Sequence, residues 1–331
     1  MRKVTIKEVA AEAGVSTATV SRVLNNSGTV NAEMKEQVLA AMKRLNYQPN
    51  AIARSLKREK TNTIGIVIPD ISNSFFMQLA KGIEETVSEE GYNLIFCSSD
   101  EKPEKERKLL QLLQEKRVDA IVLATAGQNA CLVRDIRTSG IPIVLVDRKI
   151  DGEDGETDIV LEDNVQGAFL LTSHLIRQGH RRIGVINGSL DVSTGLDRYS
   201  GYIRAMRHYG LETNVKYIFN GNFSQGDGSQ AADYFLSLHE KPTAIISFNN
   251  KMAFGALLEL LKRQMRIPDD MALASYGEVE AAQLLRDPGI AYIDQNPYAM
   301  GLKAGQFLLR RLKQKNGKPF KEMFAPVLKV R

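Results

Sequence analysis

The sequence predicts a small all-α head followed by an α/β core of two doubly wound parallel-sheet lobes. Three observations predict it. The chain has 331 residues, enough for several cores of ordinary size. Up to residue 49, apolar residues recur at spacings of three and four in three short stretches, each opened by a polar cap. From residue 63, short apolar runs alternate with longer amphipathic stretches. That is the pattern of βα units, whose parallel strands are buried on both faces.

The elements follow in order. Thr5-Ile6-Lys7-Glu8 reads as a capping box, and Val9, Ala10 and Ala13 continue one apolar face. Gly14 permits a sharp turn with Val15 beneath it. Ser16 caps a second helix striped by Val20, Val23 and Leu24 and stopped at Asn25-Asn26-Ser27-Gly28. Asn31 caps a third, with Met34, Val38, Ala41, Met42 and Leu45 on one face, ended by Asn46-Tyr47-Gln48-Pro49. Asn50 caps a fourth helix over residues 51–57, too short to persist alone in water, and a charged linker follows. In the core, TIGIVIPD, NLIFCSS, DAIVLAT and IPIVLVD are strands of a first lobe. IVLED, RIGVING, YIFNG, AIISFN and ALASYG repeat the alternation for a second. A late helix, PYAMGLKAGQFLLRRLKQK, and one terminal strand near FAPVLKVR complete the layout. The expected division is 1–49 for the head, 50–61 for the short helix and linker, and 62–331 for the core. Lobe one is about 62–161 plus 296–322, and lobe two about 162–295 plus 323–331.

Composition excludes several classes. Mean hydropathy is −0.22 and no run of eighteen apolar residues occurs, so no membrane span is expected. The basic start lacks a following apolar stretch, so no secretory signal is read and a cytoplasmic location is expected. Cys97 and Cys131 make no metal spacing and read as buried thiols of a reducing compartment. There is no P-loop and no G-x-G-x-x-G. His174, His180, His208 and His239 are scattered. No enzyme, cofactor or metal site is therefore expected.

Charge is unevenly placed. Residues 1–60 carry 11 Lys and Arg against 5 Asp and Glu, a balance of +6; of the whole chain's 44 and 39, this leaves 33 against 34 for the rest. A basic head on a near-neutral body is the footprint of a polyanion binder. The stretch STATVSRVLNN (16–26) fits that reading as the second helix of a helix–turn–helix. Its apolar residues share one face, while Thr17, Ala18, Ser21 and Arg22 lie on another. The short Ala18 permits close approach and can meet a thymine methyl; Arg22 can reach guanine O6 and N7, or a phosphate. The plainer alternative is an amphipathic helix of a small bundle.

TIKEVAAEAGVSTATVSRVLN followed by NYQPNAIARSLK resembles the head of the LacI/GalR (lactose-repressor) family. IPDISNSFF, RYSGY, NNKMAFGALL, DQNPYAMG and APVLKVR continue the resemblance in order and spacing to the end of the chain. The resemblance implies a homodimeric transcription regulator that binds a pseudo-palindromic operator, with a core of periplasmic-binding-protein type. It places the base-reading pair on Thr17 and Ala18, the arginine one turn later on Arg22, and a minor-groove wedge on Leu56. Thr5, Ser16, Thr19, Ser21 and Asn25 in the head, with Asn50 and Ala53 near the wedge, complete the implied DNA-contacting set. For the effector it implies Arg198, with Thr194 one turn earlier. Phe75 and Phe76 follow the first strand, Phe223 supplies a ring, and Asp147, Asn249 and Gln295 make polar contacts. For Phe76, core packing is an equal alternative.

The chain also departs from the family pattern. The usual Asn-Pro-Phe-Phe is Asn73-Ser74-Phe75-Phe76, and the usual Asn-Asp is Asn249-Asn250. The usual Gly-Phe-Asp-Asp is Ser275-Tyr276-Gly277-Glu278. Losing the aspartate at Gly277 removes an acceptor for sugar hydroxyls and makes the cleft more favourable to an anion. The expected function is thus a repressor of carbohydrate-utilisation genes, controlled by a sugar-like effector such as a sugar phosphate or sugar acid. The alternatives are control by a phosphoprotein corepressor, or a stand-alone ligand-binding module. Without leucine heptads after the core, a dimer is expected rather than a tetramer.

Overall fold

The computed structural model describes residues 4–25, 30–47, 60–152, 155–285, 289–314 and 317–330. The expected short helix with Asn50, Ala53 and Leu56, and the side chain of Asn25, lie outside them. The chain divides into two units, residues 1–61 and 62–331.

The first unit holds helices α1 (Ile6–Glu12), α2 (Thr17–Asn25) and α3 (Ala32–Arg44). Their boundaries follow from local chemistry. Glu8 N donates to Thr5 Oγ1 while Thr5 N donates to Glu8 Oε2, the reciprocal cap read from the sequence. Gly14 takes φ +65° in the turn. Ser16 Oγ accepts from Thr19 N, and Asn31 Oδ1 from Glu33 N. Val9, Ala10, Ala13, Val20, Val23, Val38 and Ala41 form a closed apolar cluster. Met34, expected on the inner face of α3, is instead 45 % exposed, because it stands in the first turn, ahead of the buried Val38 and Ala41.

The second unit has two six-stranded sheets. Sheet one has the order β11-β5-β4-β3-β1-β2, built from β1 (Thr63–Ile68), β2 (Asn93–Ser98), β3 (Ala120–Leu123), β4 (Ile143–Val146), β5 (Asp158–Glu162) and β11 (Lys321–Phe324). Helices α4 (Ser74–Ser88) and α11 (Pro297–Lys313) cover one face, and α5 (Pro103–Glu115) and α6 (Ala130–Thr138) the other. Sheet two has the order β12-β10-β9-β8-β6-β7. Its strands are β6 (Ile183–Asn187), β7 (Ile218–Asn220), β8 (Ala244–Ser247), β9 (Ala272–Tyr276), β10 (Ala291–Asp294) and β12 (Val327–Lys329). The helix pairs α7 (Asn164–Arg177) with α8 (Ser193–His208), and α9 (Gln225–Ser237) with α10 (Asn250–Lys262), cover its two faces. All strands are parallel except β12, which runs antiparallel to β10. Among the described residues, no helix is long and apolar enough to cross a membrane.

Three expectations are corrected. The run IVLED begins the second alternation in sequence, yet as β5 it pairs with β4, Val146 opposite Val160, on the lobe-one side of the expected boundary near 161, and carries β11 at its outer edge. The single terminal strand is two, one in each sheet, separated by Ala325-Pro326, where proline lacks an N–H for a ladder. Sheet one therefore runs to Phe324, past the expected boundary at 322. Cys97 is buried, but Cys131 is exposed, since α6 buries Val133 and Ile136. The chain passes between lobes three times: after Glu162, after Asp294 and after Phe324.

The helix pairs approach closely where a side chain would not fit. A Cβ on Gly301 of α11 would lie 2.0 Å from Leu79 O of α4. The obstacle is backbone, so no side-chain rotation relieves it. Gly301→Val is expected to cost about 3 kcal/mol or more, read from urea unfolding. Gly226→Ala in α9, whose nearest neighbour would be Ser224 Oγ at 3.6 Å, should be neutral or slightly stabilising.

Candidate functional site

In the head, amphipathic folding sorts the predicted residues. Val20 and Val23 are buried, while Thr17, Ala18 and Arg22 are exposed and Ser21 is half-buried. The exposed set is thus held on a helix whose other face is locked into the cluster. The remaining polar residues carry local duties. Thr5 Oγ1 donates to Glu8 Oε2, and the hydroxyls of Ser16 and Thr19 are 3.0 Å apart.

In the core, the carboxyl ends of both sheets face a cleft of about 300 Å³, the usual ligand position of doubly wound folds. All eight residues expected at an effector site line it: Phe75, Phe76, Asp147, Thr194, Arg198, Phe223, Asn249 and Gln295. Their roles differ. Phe76 and Phe223 are 4 % and 7 % exposed and belong to the lobe cores, and the Phe223 ring lies under the Arg148 guanidinium, 5.0 Å from its centroid. Asn249 is occupied by structure: its Oδ1 accepts from Met252 N to cap α10, and its Nδ2 donates to Phe223 O.

The polar centre is a cluster of four charged side chains, Arg198, Asp147, Arg148 and Glu101. Arg198 enters from α8, buried. Its Nε donates to Asn164 Oδ1 and its Nη1 to Phe248 O, both at 2.7 Å. Its guanidinium lies over the Tyr276 ring, 3.9 Å from the centroid. Asp147 follows β4 at φ +65°. Its carboxylate is 3.7 Å from Arg148 Nε and 4.0 Å from Arg198 Nη2, beyond hydrogen-bonding distance of either. Burial pushes the Asp147 carboxyl up, against the pull of Arg198 and Arg148. Arg148 is gripped by both oxygens of Glu101, at 2.6 and 2.7 Å, and by Thr125 O. Asp100, Glu101, Asp147 and Phe223 all have positive φ. Such backbone persists where the surroundings over-determine it, as at ligand sites.

Sequence reasoning missed several lining residues: Asn73, Asp100, Glu101, Arg148, Lys251 and Tyr276. An Asp-Arg pair just past a βα strand end was the available signal for Arg148. Lysines make cross-lobe contacts beside the cleft. Lys251 Nζ donates to Asp70 Oδ2 and Ser72 Oγ, and Lys149 Nζ to Asp197 Oδ2. The carboxylate absent at Gly277 is one charge among several in the cleft. Asp70, Asp100, Glu101 and Asp147 face three cations, Arg148, Arg198 and Lys251, and Arg148 and Lys251 are already engaged by carboxylates. Gly277 follows from geometry as well: φ is +96°, and a Cβ there would press on Gln295 Oε1 at 3.2 Å.

Comparison with known proteins agrees with both units. The family described as "Bacterial regulatory proteins, lacI family" matches residues 5–50. "Periplasmic binding proteins and sugar binding domain of LacI family" matches residues 61–321. The HTH-type transcriptional repressor PurR of Haemophilus influenzae (strain PittEE) is 35 % identical over 313 residues, covering 94 % of this chain and 92 % of the relative. Among solved structures, the transcriptional regulator CelR in complex with cellobiose superposes with a TM-score of 0.74 at 27 % identity, covering 99 % of both chains. A LacI-family transcriptional regulator from Silicibacter pomeroyi does so with 0.83 at 26 %, covering 99 % of this chain and 98 % of that one. The chain belongs to the LacI family of bacterial regulatory proteins, as a DNA-binding transcriptional repressor with a ligand-binding core and not an enzyme.

Proposed function

We propose that this repressor is controlled by a small, neutral, hydroxyl-rich ligand held between the core lobes. One observation carries the reading: Asp147 stands between Arg148 and Arg198 with neither ion pair drawn to hydrogen-bonding distance. Arg148 Nε and Thr194 Oγ1, on two side chains that line the same cleft, are buried without a hydrogen-bond partner. Unused acceptors and donors in one cleft suit hydroxyls, which both give and take hydrogen bonds. A phosphate would add charge to a lining already rich in carboxylates. The cavity is at the small end of ligand sites, and the CelR relative was solved with cellobiose.

On the DNA side, two chains related by a two-fold axis present α2 to the half-sites of a pseudo-palindromic operator. Thr17, Ala18 and Arg22 read base edges, while Thr5, Ser16, Thr19 and Ser21 fix the head. Lobe rotation on ligand binding alters the fit to that operator.

A thermal-shift screen of neutral sugars, sugar acids and sugar phosphates tests the ligand, because a binder raises the melting temperature with occupancy. Stabilisation by a neutral sugar is expected. Stabilisation by sugar phosphates alone would refute the neutral class, and stabilisation only by a phosphoprotein would favour the corepressor alternative. Operator DNA selected in vitro tests the head. Arg22→Ala is expected to cost about 1–3 kcal/mol and to relax specificity at one base pair. A loss equal on all sequences would make Arg22 a phosphate contact.

A further inference from the structure

Glu162 is the last residue of β5, where the chain first crosses from lobe one into lobe two. Its carboxyl is buried. Oε2 accepts from Tyr276 Oη at 2.9 Å and from Gln295 Nε2 at 3.2 Å, both side chains lining the cleft. Oε1 is buried and has no partner. Tyr276 stands where the family pattern has phenylalanine, which carries no hydroxyl for this bond. The fold makes room for that hydroxyl: Gly167 of α7 faces it, and a Cβ there would lie 2.3 Å from Tyr276 Oη. The same tyrosine ring underlies Arg198. Facing Glu162 are therefore Arg198 from α8, Asp147 after β4, Tyr276 at the end of β9 and Gln295 after β10.

We propose that Glu162 is a proton-operated positioning residue of the cleft, whose charge sets how Tyr276 and Gln295 are held and how firmly Arg198 is retained above them. The inference rests on reading the cleft as the ligand site. As a carboxylate, Glu162 accepts from both side chains and attracts the guanidinium over the ring. As an acid, it loses that attraction, accepts more weakly, and turns one oxygen into a donor. The change falls near neutral pH. Burial pushes Glu162 up to about 7, with Asp147 adding to the rise and Arg198, Tyr276 and Gln295 opposing it. Coupling is reciprocal, so a ligand that engages Arg198 must change the proton affinity of Glu162.

The chain has no tryptophan, so tyrosine dominates its fluorescence. Full-length protein is titrated from about pH 5.5 to about pH 8.5 by tyrosine fluorescence and by the infrared band of protonated carboxyl groups. The wild type should show a step near 7 by both. Glu162→Gln should lose it. Tyr276→Phe, which removes only the hydroxyl, should lose the fluorescence step and move the infrared step to higher pH, because the bond it deletes favours the charged form. Urea unfolding gives an independent reading. With the folded group raised above its ordinary 4.5, its contribution to stability is complete below that pH and lost as pH rises through about 7, and Glu162→Gln should flatten that fall. A step that survives Glu162→Gln, or a wild type without one, would overturn the proposal. If a panel sugar stabilises the protein yet no step is seen, the proton reading fails alone. If the step is present and no panel compound binds, the ligand reading fails alone.

Discussion

Arg198→Met is expected to destabilise the core by about 3–5 kcal/mol and to abolish stabilisation by the ligand. Both losses have one origin. The guanidinium is 5 % exposed and satisfies Asn164 Oδ1 and Phe248 O. Methionine fills much of the volume but leaves both acceptors buried without donors. It also leaves Asp147 with Arg148 as its one remaining cation, itself claimed by Glu101. Arg198→Lys should fall between, since an ammonium cannot fork to both acceptors and stack on Tyr276 at once. Urea unfolding reads the first loss, and thermal shift with a panel sugar reads the second. The head has its own apolar cluster, so operator affinity without effector should stay near wild type at temperatures where the core is folded. Equal loss of operator affinity and ligand response would mean a misfolded chain rather than a deleted contact.

The fold was readable where local chemistry decides and unreadable where register decides. The caps at Thr5, Ser16 and Asn31 and the alternation of strands and helices are local signals, and the structure has them. Which sheet β5 joins depends on pairing with β4, and a run of Ile, Val and Leu fits either sheet equally. The same limit hid the split of the last strand. At the site, the eight residues that converge came from family resemblance and not from periodicity. The groups that hold them did not come at all: Glu101 grips Arg148 from 47 residues away, and Glu162 meets Tyr276 across 114. Counting only the carboxylate lost at Gly277 left out Glu101 and Glu162, which reach the arginines from other strand ends. The tyrosine at 276 was visible as a departure, but its meaning required its partner.

Removing residues 1–61 is expected to abolish operator binding while leaving the core's unfolding transition and its ligand stabilisation unchanged. The unit boundary at 61 and 62 separates two sets of cores. Val9, Val20, Val38 and Ala41 pack among head residues, while the sheets are covered by helices of their own unit. Electrostatics points the same way. The first sixty residues hold a balance of +6 and the remainder −1. Affinity for DNA falls with salt in proportion to the phosphates neutralised, so the isolated core should show neither retention of operator DNA nor a salt slope. If it retained operator DNA, the assignment of DNA reading to α2 would be wrong. The converse fragment, residues 1–61 alone, should bind weakly and with little sequence preference. A single head spends its contacts on one half-site, whereas two heads on a dimeric core gain from effective concentration. On the proposed dimer the core would thus be needed for specificity without touching a base, and the proposed ligand between its lobes would govern the operator through that requirement.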